Sequence, residues 1–174
     1  MNVLLAPLLY VMPEPDAFYT FEHLARQLCP MYLQPNLDGV HYGVQLLEEC
    51  LQVVDPELSA FLRARKADAK VYSFASVLTL CSCTPPLEEV LKLWDYLFAF
   101  GAHLAVLCTI AQYILIRDSI MASPNPMKVL RNLPDLQAQP VIALSVRLVK
   151  QLPDELHSRL VRHTYDPTLY AAWR

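Results

Sequence analysis

Between Tyr72 and Gly101 the chain runs Tyr-Ser-Phe-Ala-Ser-Val-Leu-Thr-Leu-Cys-Ser-Cys-Thr-Pro-Pro-Leu-Glu-Glu-Val-Leu-Lys-Leu-Trp-Asp-Tyr-Leu-Phe-Ala-Phe-Gly, and no other stretch limits the fold as strongly. Its first part, residues 73–83, is nearly all apolar and reads as one helix buried on every side. Thr84-Pro85-Pro86 stops it, because prolines donate no backbone hydrogen bond and clash with a preceding helical turn. Leu87, Val90, Leu91, Trp94, Leu97 and Phe98 then recur at helical spacing, opposite Glu88, Glu89, Lys92 and Asp95. Gly101 reads as the stop of that helix. Residues 102–116 form a second apolar run, again without a polar face. A helix that is apolar all round must be surrounded by other elements.

The rest of the chain supplies them. Three glycines are too few for a hairpin-rich β-fold, whereas 14 prolines can end many short helices. The fold class expected is all-α, an array of short, proline-punctuated helices, and 174 residues suffice for one core. Residues 3–12 are apolar up to Pro13. Asp16 then reads as the cap of a helix whose Phe18, Phe21, Leu24, Ala25 and Leu28 face the core. Val44, Leu47, Leu51 and Val54 define another stripe. Asp55-Pro56 reads as the cap and first residue of a helix with Leu58 and Leu62 inward. Further helices are expected near 137–151 and 154–163, although residues 141–146 have the composition of a short strand. Residues 165–174 look loose.

Charge and chemistry exclude several classes. Residues 1–60 carry eight acids against the single base Arg26, and the remainder is net basic, for −3 overall. No basic stripe with interleaved aromatics supports nucleic acid. Residues 96–116 lack Lys, Arg, Asp and Glu and are long enough to cross a bilayer. Gly101, His103, Thr109 and Gln112 interrupt the run, and the flanking Lys92 and Arg117 are balanced. A buried helical hairpin is the better reading. Cys29, Cys50, Cys81, Cys83 and Cys108 form no Cys-x-x-Cys pair, which suggests free, buried thiols in a reducing compartment. The five histidines show no metal-ligand spacing, and His103 reads as a core histidine. Glu48-Glu49 and Glu88-Glu89 point to different helix faces, as surface charge rather than an acid/base dyad. Three glycines build no P-loop. No cofactor or metal is expected.

The order of these segments resembles the C-terminal half of the TBC domain, the helical domain of GTPase-activating proteins for Rab-like GTPases. The resemblance rests on the run from Asn2 to Phe18, on Asp55-Pro-Glu-Leu58, on Thr84-Pro-Pro-Leu87, and on Trp94-Asp95 with Gly101. It covers Asn2 through about Leu133, and extends to the tail 152–164. Pro13-Glu-Pro-Asp-Ala-Phe18, Gly39-Val-His41 and Lys128-Val-Leu-Arg-Asn-Leu-Pro134 are most similar to the short fungal members of the mitotic-exit, or spindle-position, checkpoint.

The resemblance implies residues 1–118 as the C-terminal part of a TBC domain, with its N-terminal part missing, and 119–174 as a helical extension with a loose tail. It implies a small Ras- or Rab-like GTPase as partner, a separate scaffold protein, and a cytoplasmic location that includes the spindle pole body. In the family an arginine from Ile-x-x-Asp-x-x-Arg and a glutamine from Tyr-x-Gln-Gly enter the GTPase site. Neither motif occurs in these 174 residues, so the chain by itself is expected to bind without catalysis, as a fragment. No catalytic residue is assigned. Of the family-motif residues, Trp94 is expected to pack in the core with Asp95 capping or pairing nearby, Gly101 to end a helix, and Asn2 to lie nearest the missing glutamine. Exposed apolar faces and self-association follow from such a fragment. The rival reading is a non-catalytic helical interaction or scaffold module acting through the acidic N-terminal end, and a third is a membrane-anchored helical protein.

Overall fold

A computed structural model describes residues 2–173, with side chains through Tyr170; Met1 and Arg174, the ends of two segments read above, lie outside the described residues. Every regular element among them is helical, and none is a strand. The longest are α1 (Asn2–Val11), α2 (Glu14–His23), α3 (Asp38–Val54), α4 (Pro56–Ala64), α7 (Leu87–Phe100), α8 (Ala105–Leu115), α11 (Ala138–Val149) and α12 (Asp154–Arg162). Shorter α5 (Ala69–Tyr72), α6 (Phe74–Leu78), α9 (Arg117–Ala122) and α10 (Pro126–Arg131) fill the connections.

α8 is the axis of the molecule. Ala105 through Tyr113 are all buried, which requires neighbours on every side. α11 lies along it, α3 and α6 pack elsewhere on it, and α7 packs on α11. The suspected membrane run is therefore split at Gly101 between α7 and α8. No helix among the described residues is long and apolar enough to cross a membrane.

Local chemistry explains most boundaries. Asp55 accepts a hydrogen bond from the Leu58 amide at 2.9 Å, with Pro56 at the first helical position of α4. Arg117, at the start of α9, bonds Asp55 at 2.8 Å and Glu57, tying α9 to the start of α4. Val141–Val146, strand-like in composition, lies inside α11.

Three expectations change. Residues 73–83 are not one helix. The Ser73 hydroxyl bonds the Ala69 carbonyl at 2.6 Å and the Thr79 hydroxyl bonds that of Ala75 at 2.8 Å. Such back-bonding competes with helix continuation. Leu80 and Cys81 then take left-handed backbone (φ 51° and 65°), which ends α6 well before Pro85. Asp16 caps nothing, since α2 begins at Glu14 after Pro13 with no side-chain cap, leaving Asp16 in its first turn. The tail is not loose through Tyr170, whose ring is buried and whose hydroxyl donates to the His163 carbonyl.

Candidate functional site

Two places gather the residues singled out by sequence. The first is the turn between α6 and α7. Trp94 is 2% exposed, and its indole N–H donates to the Leu80 carbonyl at 3.0 Å. That carbonyl belongs to the left-handed turn, so the indole satisfies a buried acceptor that the broken helix leaves over. Trp94 is thus the tie between α7 and the end of α6. Cys81, the next residue, sends its thiol into α8, 3.4 Å from the Thr109 hydroxyl.

Asp95, on the opposite face, is exposed and neither caps nor pairs among the described residues. Gly101 ends α7 with φ +125°, and a Cβ there would lie 2.4 Å from the His103 ring. Backbone and space both demand glycine at this position. Burial, with His157 nearby, holds His103 down to about 4.

The second place is the outer face of α1 and α2. Leu4, Pro7 and Leu8 anchor α1 inward, Ala17 anchors α2, and Ser82 fastens the Val3 carbonyl at 3.1 Å. Six large apolar side chains are exposed there: Val3, Leu9, Tyr10 (64% exposed), Val11, Phe18 (61%) and Tyr19 (67%). Phe18 and Tyr19 meet edge to face at 5.4 Å. A groove lined by Tyr19, Thr20, His23, Leu24, Leu28 and Phe98 continues the face toward the end of α7, where Phe100 is also exposed. Phe18 was expected inside. The α2 core position is instead taken by Ala17, one residue earlier, which turns the aromatic pair outward. Asn2 is exposed at the start of α1, with Glu14 and Asp16 exposed at the start of α2.

Other titratable groups make structural bonds. Glu49 joins Arg159 at 2.6 Å and Gln45 at 2.9 Å, and Glu89 receives the Ala138 amide at 2.7 Å, capping α11 from α7. These two are tertiary ties, where sequence read surface charge. Burial pushes the thiols of Cys29, Cys50 and Cys81 up to about 12, and Cys108 well above its ordinary value. Such thiols are poor nucleophiles. Among the described residues no group of His, Cys, Asp and Glu is placed to hold a metal ion.

One cluster escaped the sequence reading altogether. The His163 Nδ1–H donates to the Leu160 carbonyl, so Nε2 is the acceptor for the Tyr32 hydroxyl at 2.9 Å. The Met31 amide bonds the Thr164 carbonyl at 3.0 Å. Nothing in the spacing of residues 32 and 163 signals this pairing.

The family described as Rab-GTPase-TBC domain matches residues 1–121. Cell division control protein 16 of Schizosaccharomyces pombe is 44% identical over 167 residues, covering 95% of this chain and 56% of that protein. Mitotic check point protein BUB2 of Saccharomyces cerevisiae is 42% identical over 171 residues, covering 98% and 56%. A putative mitotic check point protein BUB2 of Dictyostelium discoideum is 42% identical over 163 residues, covering 94% and 44%. The chain spans about half the length of these curated relatives.

Proposed function

Because the chain belongs to the Rab-GTPase-TBC domain family, we propose that it is the part of a GTPase-activating protein that supports a catalytic surface directed at a small Ras- or Rab-like GTPase in mitotic checkpoint control. The observation that carries the reading is the family match over residues 1–121, joined to 42–44% identity with checkpoint proteins along nearly the whole chain.

The chemistry asked of such a protein is electrostatic. Negative charge builds on the transferring phosphoryl group, and an arginine supplied in trans neutralises it, an effect of roughly 10³–10⁵ in rate. The TBC motifs that supply the arginine and its companion glutamine are not in these 174 residues. Arg26 is paired to Glu22 at 3.1 Å, and Arg117 to Asp55, so neither is poised as a substitute. On this reading the chain alone binds a GTPase without accelerating hydrolysis. The exposed face of α1 and α2 receives the portion of the longer TBC fold that bears the fingers. Asn2, exposed at the first turn of α1, supports the geometry beside it, while Trp94 and Gly101 serve the scaffold. A separate scaffold protein and the spindle pole body are part of the same proposal, by resemblance to the mitotic-exit members.

Single-turnover GTP hydrolysis, measured for a panel of Ras- and Rab-like GTPases with and without the 174-residue chain, tests it. Binding with unchanged hydrolysis is expected. Acceleration of 100-fold or more, about 2.7 kcal/mol off the barrier, would overturn the assignment of catalysis to residues outside this chain. No binding to any GTPase favours the helical interaction module.

A further inference from the structure

Some cations of this chain are matched to carboxylates and others are not. Arg26, Lys92, Arg117, Arg159 and Arg162 each hold one. Arg63 in α4, Arg65 and Lys66 just after it, Lys70 in α5, and Lys128 and Arg131 in α10 are all exposed, and none has an ion-pair partner among the described residues. Folding gathers these six from two stretches of the chain. α5 packs on α10, α9 packs on both α4 and α10, and the Arg65 guanidinium reaches the Pro124 carbonyl at 3.4 Å. The surface shares no element with the face of α1 and α2.

Three acids lie beside it. Asp68 caps α5 through the Lys70 amide at 2.9 Å, Glu48 stands near Arg63 and Lys70, and Asp118 is in the first turn of α9. The cations outnumber them, which leaves a positive field that an anion relieves. At its α10 end the surface is concave, a groove of about 280 Å³ lined by Asn125, Met127, Lys128, Arg131 and Asn132. Lys128 and Arg131, three residues apart on one helix, share a face. The Asn125 side-chain oxygen accepts the Lys128 amide at 3.2 Å, which leaves its NH₂ group as a further donor. The groove therefore offers positive charge and several donors to a group with more than one acceptor oxygen.

The surroundings of those donors separate the anionic occupants. Among large apolar residues in 63–71 and 123–132 only Val71 is exposed, so there is little to enter a bilayer. Neither segment contains an aromatic residue to stack on a base, and the nearby Phe61 ring lies under the Arg65 guanidinium at 5.0 Å. A small free anion fills the groove but leaves the cations of α4 and α5 unmatched. An extended polypeptide with several carboxylates can meet both.

We propose that the surface formed by the end of α4, α5 and α10 binds an acidic segment of a partner polypeptide, with Lys128 and Arg131 holding one carboxylate in the groove and Arg65, Lys66 and Lys70 meeting others along the segment.

The test titrates the chain into a rhodamine-labelled peptide of alternating glutamate and glycine at low salt, read by fluorescence anisotropy. The glutamine counterpart, phosphatidylserine vesicles and oligothymidine are measured beside it. The glutamate peptide should bind, the glutamine peptide should bind about tenfold more weakly or less, and added salt should weaken the glutamate peptide steeply, as for exposed charges. Lys128→Ala with Arg131→Ala should weaken it about fivefold or more, on the scale of two exposed ion pairs. Arg147→Ala with Lys150→Ala removes the same charge from the far end of α11, where both cations are also exposed and unpaired among the described residues. That pair should change binding less than about twofold, because screening confines exposed charges to their own neighbourhood. Equal losses in the two double variants reduce the effect to net charge and overturn the site. Equal binding of the glutamate and glutamine peptides, or binding of neither, overturns anion recognition, and is read on the unaltered chain even if a variant folds poorly. Tighter binding of the vesicles or of oligothymidine than of the glutamate peptide overturns the choice of a polypeptide.

Discussion

The outer face of α1 and α2 and the clasp around His163 are built from the same kinds of residue and put them to opposite uses. At the clasp, Tyr32, His163 and Tyr170 are buried, and each polar atom finds a partner: hydroxyl to imidazole, imidazole to carbonyl, hydroxyl to carbonyl. On α1 and α2, Tyr10, Phe18 and Tyr19 stand in water. Aromatic side chains that bury their area stabilise the fold, and clustered exposed ones such as Phe18 and Tyr19 suit a surface that meets something else. The clasp closes the C-terminal segment onto the core near the start of α3. The open face leaves the N-terminal helices attached mainly through Leu4, Pro7, Leu8 and Ala17.

The contrast can be broken by energetics. Trp94→Ala should destabilise by about 3–5 kcal/mol in urea unfolding, since it empties a buried site and orphans the Leu80 carbonyl. A loss below about 1 kcal/mol would mean that the interior tolerates what the outer face tolerates, and the distinction would fail.

A smaller, pH-dependent effect sharpens it. Burial, against the pull of the Leu160 carbonyl, holds His163 down to about 4, as burial does His103. In the unfolded chain each titrates near 6.5, so between those values the unfolded state binds protons that the folded state refuses. Stability is fully present above about pH 6.5 and is lost as the pH falls toward 4, by order 3 kcal/mol per histidine. Urea midpoints measured across that window should fall with acid, and His163→Gln should flatten the slope. A flat profile in the parent chain contradicts a neutral, buried clasp.

Tyr32→Phe is milder. It leaves the His163 Nε2 buried without a donor and should cost about 1–3 kcal/mol. Least in stability is the double exchange Phe18→Ser with Tyr19→Ser, expected within about 0.5 kcal/mol of the parent. Its signature is hydrodynamic. The parent chain should self-associate in sedimentation through its apolar face, and the double variant should shift toward monomer. A parent that is already monomeric at all concentrations would remove the argument that this face needs a cover.

How much of this was legible follows from the range of the forces involved. α7 could be read almost residue by residue, because its apolar stripe, its acidic first turn and Gly101 are local signals. Asp55-Pro56 was equally plain. The helix expected over 73–83 misled because a run without charged residues says that a segment is buried, not that it is straight. Two hydroxyls and the distant indole of Trp94 bend it into a left-handed turn. Phe18 misled for a related reason: a stripe can be shifted by one residue when a small side chain, Ala17, suits the close approach of helices better. At the candidate site, Trp94 is buried with its indole on the Leu80 carbonyl and Gly101 ends α7, whereas Asp95 is exposed.

By itself the sequence determined an all-helical chain, the stop at Gly101, the two runs that must be interior, and the family whose pattern they follow. Those properties depend on neighbours within a few residues, where spacing and backbone freedom act directly. Only the tertiary structure decided that Tyr32 and His163 share a hydrogen bond, that Glu89 caps α11, and which aromatics stay wet. Each depends on groups brought together from far along the chain, and the burial that sets their energies exists only once the helices have packed.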